Sequence, residues 1–276
     1  MNKKFILIVF AIIIALSIAV LALDIRLKTV YYTVENEKSD EKMRIALITD
    51  LHSCSYGGKD MSVLLDAVYI ENPDVVLFGG DIIDDELPEE NAVTVMTALA
   101  KKYPCYYVSG NHEEYTERLD EIKETVRSCG VKVLDGIHTK MAISAVSGTP
   151  DIYGFDDTLV YEDFEEQNAH IGEVVDNYHF KESYNILLIH RPEFIESYAE
   201  HGFDLVLCGH AHGGLWRIPG VLNGLYAPGE GLFPKYAGGF YEVGETKMIV
   251  SRGLGKESTR IPRIFNRPEL VIIDIT

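Results

Sequence analysis

Five apolar runs in this chain end on a residue able to bind a cation. IALITDLH closes on Asp50 and His52, VLFGGD on Asp81, YYVSGNHE on Asn111 and His112, ILLIH on His190, and LVLCGHAH on His210 and His212. The runs are continuously apolar rather than alternating, which suits strands covered on both faces of a sheet. Between the first three lie MSVLLDAVYIE, AVTVMTALAKK and TERLDEIKETVRSCG, which have helical spacing, with Asp60 a candidate cap and Gly130 a stop. Strand and helix alternating at about thirty residues per unit is the βαβ pattern. KMAISAVSG, DIYGFD, NILLIH, DLVLCGH, KMIVSRG and ELVIIDI read as further strands, with helices near 162–175 and 192–200. The expected fold is α/β: a four-layer α-β-β-α sandwich of two mixed sheets flanked by helices.

The start of the chain is different. Phe5 to Leu23 carries no charge, and as a helix it spans about 28 Å at roughly 1.5 Å per residue, close to the bilayer core. It reads as a transmembrane helix, the alternative being a cleaved signal with a small-residue site near Ala22. Lys3 and Lys4 favour a cytoplasmic N-terminus, hence a single-pass protein of the cell membrane with its catalytic domain extracytoplasmic; Arg26 and Lys28 count against that orientation. The division expected is 1–28 anchor or signal, 29–42 linker containing ENEKSDEK, and 43–276 one domain.

With 25 basic against 43 acidic residues, a formal net charge of −18, the surface repels nucleic-acid backbones, so no nucleic-acid partner is expected. Four cysteines are present and none form a CxxC pair; Cys208 reads as a buried apolar residue, and a Cys105–Cys129 disulfide is left open.

Ligands in open α/β sheets bind beyond the carboxyl ends of strands. The inventory there is two carboxylates, one amide and five imidazoles: Asp50, Asp81, Asn111, His52, His112, His190, His210 and His212. Oxygen and imidazole donors suit manganese, iron, zinc or nickel. Eight donors exceed one tetrahedral ion, whereas two ions about 3.5–4 Å apart would use them, with a carboxylate between. Singly, an aspartate at a strand end is more often a turn or cap residue and a histidine a polar surface group; together the eight point to metal.

DLH, GGD, GNHE, LIH and GHAHGG, in this order, resemble the calcineurin-like metallophosphoesterase superfamily. The resemblance is nearest its membrane-associated bacterial branch, similar to UDP-2,3-diacylglucosamine pyrophosphatase-like phosphoesterases. It implies that Asp50, His52 and His212 bind one divalent metal ion, that Asn111, His190 and His210 bind another, and that Asp81 bridges them. Mn2+, Fe2+ or Zn2+ would serve. His112 is implied as a catalytic residue beside the phosphate. The implied activity is phosphodiester or pyrophosphate hydrolysis by a metal-bridging hydroxide, the alternatives being a phosphodiesterase of soluble nucleotides or a non-catalytic scaffold. Two positions depart from the family pattern. Glu113 stands where an aspartate is usual, so an acid orienting His112 would do it differently or not at all. Ile189 replaces the glycine before His190.

Residues 215–242 hold few charges and many glycines, prolines and aromatics. They read either as a packed loop with two short strands or as an apolar wall near His212 that touches lipid. Arg252, Lys256, Arg260, Arg263 and Arg267 face a single acid, Glu257; Arg252, Arg260 and Arg263 are candidate substrate-binding residues, the alternatives being anionic-membrane contact or a solvated basic edge. A phosphorylated, lipid-linked substrate at the membrane surface would join these features.

Overall fold

The computed structural model describes residues 3–38, 42–140, 150–157, 165–166, 169, 172–173, 175, 184–256 and 261–276. A 20-residue helix, α1 (Lys3–Ala22), leads into β1 (Lys28–Val34), β2 (Met43–Ile48), α2 (Ser62–Glu71), β3 (Val75–Gly79), α3 (Glu90–Ala100), β4 (Cys105–Val108), the short α4 (Asn111–Tyr115), α5 (Leu119–Ser128) and β5 (Lys132–Val133). The second half runs β6 (Ile137–Lys140), β7 (Asp151–Gly154), β8 (Asn185–Leu188), α6 (Ile195–Glu200), β9 (Leu205–Cys208), the hairpin β10 (Tyr226–Ala227) and β11 (Gly231–Leu232), then β12 (Gly239–Val243), β13 (Thr246–Val250) and β14 (Glu269–Ile275).

Two six-stranded sheets form, ordered β1-β14-β2-β3-β4-β5 and β12-β13-β9-β8-β7-β6. Both are mixed: β2, β3, β4 and β5 pair in parallel, while β14 runs antiparallel to β2. Strand periodicity sorts the core into three layers. Ile45, Leu47, Leu77, Val108, Val271 and Ile273 point inward and meet Ile152, Ile186, Leu188, Leu207 and Ile249 of the other sheet. Ala46, Ile48, Val76 and Phe78 face the opposite way and are covered by Leu64, Val68, Val95, Leu99, Ile122 and Val126 from α2, α3 and α5. Leu187, Val206, Met248 and Val250 are covered by Phe194, Ile195 and Tyr198. The four layers expected from the continuous apolar runs are therefore present.

The structure differs from the sequence reading at several places. Residues 28–34, assigned to the anchor end and linker, form β1 and pair in parallel with β14 from Lys28↔Glu269 to Val34↔Ile275. KTVYYTV carries polar residues between its apolar ones, as an edge strand does. The α1 end is thus joined to the sheet without a free linker. Asp60 accepts the Ser62 N–H at 3.3 Å, but Met61, in left-handed conformation, occupies the N-cap. Most of the expected KMAISAVSG strand and the helix near 162–175 lie outside the described residues. All four cysteines are buried, and none is in a disulfide among the described residues.

Helix α1 has no buried residue and is apolar enough, with mean hydropathy 3.3, to cross a membrane.

Candidate metal centre

Every sequence-selected ligand lies at a strand's carboxyl end, and most sit in a backbone state that side chains avoid. Asp50, His52, Asp81, His210 and His212 all have positive φ, between 47° and 67°. Left-handed non-glycine residues cost free energy and persist where the surrounding structure holds them for function. The glycines beside them serve approach. A Cβ on Gly209 or Gly110 would collide with the carboxylate of Asp50 or Asp81 respectively.

The structure brings six of the seven ligand candidates into two buried groups. Donor atoms of Asp50, His52, Asp81 and His212 lie within 4.8 Å of one another, and so do those of Asp81, His190 and His210. Asp81 belongs to both: its Oδ2 is 3.6 Å from His52 Nε2 and 3.1 Å from His190 Nε2. Its Oδ1 accepts the His112 backbone N–H at 2.8 Å. The remaining histidines close the rim, with His212 Nε2 3.8 Å from Asp50 Oδ1 and His210 Nδ1 3.2 Å from His190 Nε2.

Ring orientation is fixed from behind. His52 Nδ1 meets Asp84 Oδ2 at 3.0 Å, and His190 Nδ1 donates to the Gly79 carbonyl at 2.8 Å. Both rings therefore turn Nε2 toward Asp81, as partners behind a metal-binding histidine do. Asp50 Oδ2, His52 Nε2 and Asn111 Oδ1 are buried and make no hydrogen bond among the described residues. Unpartnered buried donors and acceptors are costly, and these three, all of ligand type, fit a bound cation.

The electrostatics agree. Burial alone would push His190 down, but the charge of Asp81 at contact overrides it and holds the imidazole at about 10. Asp81, opposed by burial, is kept well below the carboxylate range by the imidazoles around it. Burial raises Asp50. Burial, with Arg191 nearby, lowers His210; burial, with His52 and Arg263, lowers His212. Those two rings are neutral and ready to donate a lone pair.

Glu113 does not orient His112. It is buried, and its carboxylate accepts the backbone N–H groups of Asp81, Ile82, Ile83 and Gly110 at 2.7–3.0 Å. It ties the GGD turn to the GNH turn. Burial and the Asp81 charge push it up to about 7 against the pull of those N–H groups. Glu113→Ala is expected to lower stability by about 3 kcal/mol or more, because four buried donors lose their acceptor. Glu113→Gln, which keeps a carbonyl there, should lose less. Denaturant unfolding of the two variants checks this.

The acid at His112 is Asp85, whose Oδ1 lies 2.6 Å from His112 Nδ1. Asp84 and Asp85 were missed by the sequence reading, which stopped at the first aspartate of GGDIIDD; two further acids three and four residues on were the available signal. Also missed was Arg191, which binds both carboxylate oxygens of Asp157 at 2.8 Å and places Nη1 3.3 Å from His210 Nε2.

Of the basic candidates, Arg263 is buried, with Nη2 3.4 Å from His212 Nδ1 and Nη1 without a hydrogen-bond partner among the described residues. Arg252 is directed to Glu269, with its Nε 3.4 Å from Oε2. Arg260 falls outside the described residues.

Acid and imidazole groups gathered behind strand ends, around a shared carboxylate, define a metal-dependent hydrolase. Residues 43–214 match the calcineurin-like phosphoesterase family, and the chain belongs to that family of metal-dependent phosphoester hydrolases. A metallophosphoesterase of Aquifex aeolicus is 30% identical over 88% of this chain and 90% of its own length. Phosphodiesterase YaeI of Escherichia coli is 28% identical, covering 84% of this chain and 82% of its own. A Campylobacter jejuni metallophosphoesterase is 27% identical over 90% of this chain, but the match spans only 62% of that protein.

Proposed function

We propose that the chain hydrolyses a phosphodiester or pyrophosphate with two divalent ions, on a substrate presented at a membrane surface. Asp50, His52 and His212 would hold one ion, Asn111, His190 and His210 the other, with Asp81 between them. The observation that carries this is Asp81 Oδ2 between His52 Nε2 and His190 Nε2, in a site with three unpartnered ligand atoms. Bound dications supply Lewis acidity toward phosphate oxygens and acidify water near neutral pH. The chain does the rest. His52 and His190 are held with Nε2 inward, and Asp81 is kept ionised. His112, set by Asp85, stands at the open side to protonate the leaving oxygen. Arg263 adds positive charge behind His212.

The name of the Escherichia coli relative favours a diester. The membrane part rests on α1 and on exposed Trp216, Ile218, Val221, Leu232 and Phe233 in the loop that follows His212. Manganese is the first ion to try, because the donors are imidazole and oxygen. The full chain in detergent, loaded with Mn2+, should retain two ions and cleave an aryl phosphodiester. It should turn over detergent-dispersed lipid pyrophosphates or lipid phosphodiesters faster than soluble esters. Equal rates on both would end the membrane reading; no turnover with any divalent metal would end the hydrolytic one.

A further inference from the structure

A cavity of about 490 Å³ lies against the turn that follows His212, where Arg217 and Arg252 share walls with Ile218, Val221, Leu222 and Phe265. The Gly213–Gly214 turn separates it from the ligand groups: Arg217 Nη1 donates to the Gly213 carbonyl at 3.1 Å, on the far side of His212. No part of the proposed reaction uses it.

Its charge is unbalanced. Arg252 has Glu269, which accepts its backbone N–H at 3.0 Å and lies 3.4 Å from its Nε. Arg217 has no carboxylate at ion-pair distance among the described residues; its guanidinium contacts the Gly213 carbonyl and Asn223 Oδ1. Burial first, and Arg252 next, push its pKa down to about 10. In a chain of net charge −18, two neighbouring arginines with one acid between them leave a positive charge unmet. Paired guanidinium groups match phosphate oxygens.

The rim gives the source of the phosphate. Val221 is 82% exposed and Ile218 51%, at the mouth of a cationic cavity. The floor is tied to α1: the Phe265 N–H donates to the Ala22 carbonyl, the last residue of α1, at 2.7 Å. Arg267 grips the chain just beyond, donating to the carbonyls of Arg26 and Leu27 at 2.9 and 2.8 Å. If α1 spans a bilayer, its end lies at headgroup depth, and so does a cavity whose wall bonds to that end. Arginines at phosphate level with apolar side chains around them suit a lipid headgroup.

We propose that this cavity binds the phosphate of an anionic phospholipid from the bilayer that α1 spans, as a bound lipid rather than a substrate. The proposal rests on reading α1 as a membrane helix. The bound lipid would hold the domain against the surface and set the metal centre at headgroup level.

The single tryptophan, Trp216, is the reporter. It is next to Arg217, is 40% exposed, and bonds through Nε1 to the Pro262 carbonyl at 2.9 Å. The full chain, reconstituted in phosphatidylcholine liposomes, is titrated with brominated phosphatidylglycerol. Saturable quenching of Trp216 at low mole fraction is expected, with Arg217→Gln needing about fivefold more anionic lipid and Arg217→Lys less than that. Val221→Glu, an exposed change that leaves the fold alone, should weaken the same quenching. Brominated phosphatidylcholine should quench all variants alike. Superimposed curves for the wild type, Arg217→Gln and Val221→Glu would overturn the site while leaving the anchor standing. Relief of quenching by millimolar inorganic phosphate would also overturn it, in favour of a soluble anion. Absence of quenching by either lipid would instead remove the membrane reading on which the site depends.

Discussion

Asp81→Asn should lower kcat/KM by at least about a thousandfold, on the order of 4 kcal/mol of transition-state stabilisation, and reduce metal below one ion per chain. The size of the effect follows from position. One oxygen, Oδ2, faces His190 Nε2 at 3.1 Å and His52 Nε2 at 3.6 Å, so both ligand groups depend on it. The substitution is nearly isosteric, and the amide oxygen can still accept the His112 N–H that Oδ1 now accepts at 2.8 Å. Loss of function is therefore expected without loss of fold.

A second readout separates charge from shape. In the metal-free protein the His190 imidazole is held at about 10, against burial, by Asp81. At neutral pH it carries a proton that an incoming cation must displace, so metal affinity should rise with pH until about 10. Without the Asp81 charge His190 loses the largest upward pull that opposes burial, and less proton release should accompany metal binding. Calorimetric titration of Mn2+ in two buffers of different ionisation enthalpy measures this. A variant that keeps two ions and wild-type turnover would contradict the bridging role.

The layer arrangement and the ligand candidates were legible because one physical constraint writes both. Runs such as VLFGG and LVLCGH must be apolar on each face to lie between helices and a second sheet, and a ligand placed one step past them interrupts the pattern visibly. What stays hidden is whatever works from behind. Asp84 and Asp85 look like loop acids in a chain rich in acids; only the turn after β3 shows that one reaches His52 and the other His112. The role of Glu113 was hidden for a related reason. Its place beside His112 left open whether it orients that ring at all, and in the first turn of α4 it points instead to the backbone of the neighbouring strand end. The edge strand β1 escaped because KTVYYTV alternates weakly and its partner lies at the far end of the chain. Arg217 gave no signal at all, since its missing counter-charge is a property of the folded surroundings.

His112→Gln is expected to reduce kcat by about 10²–10⁴-fold while leaving metal content unchanged. Unlike the other site histidines it is open to solvent, with 30% of its side chain exposed against 1% for His52. Its ring packs edge-on against His52 with centroids 4.4 Å apart. Asp85, accepting from Nδ1 at 2.6 Å, leaves Nε2 as the atom that can face a substrate. Donation of that proton matters most when the leaving oxygen is a poor one. The loss should accordingly be large for an alkyl or phosphate leaving group and small for nitrophenolate, which departs without help. Asp85→Asn should show the same dependence at about a tenth of the size or less, because the imidazole remains but loses its orienting acceptor. Equal losses for good and poor leaving groups would deny His112 the acid role and leave it as a fixed positive or hydrogen-bonding group beside the phosphate.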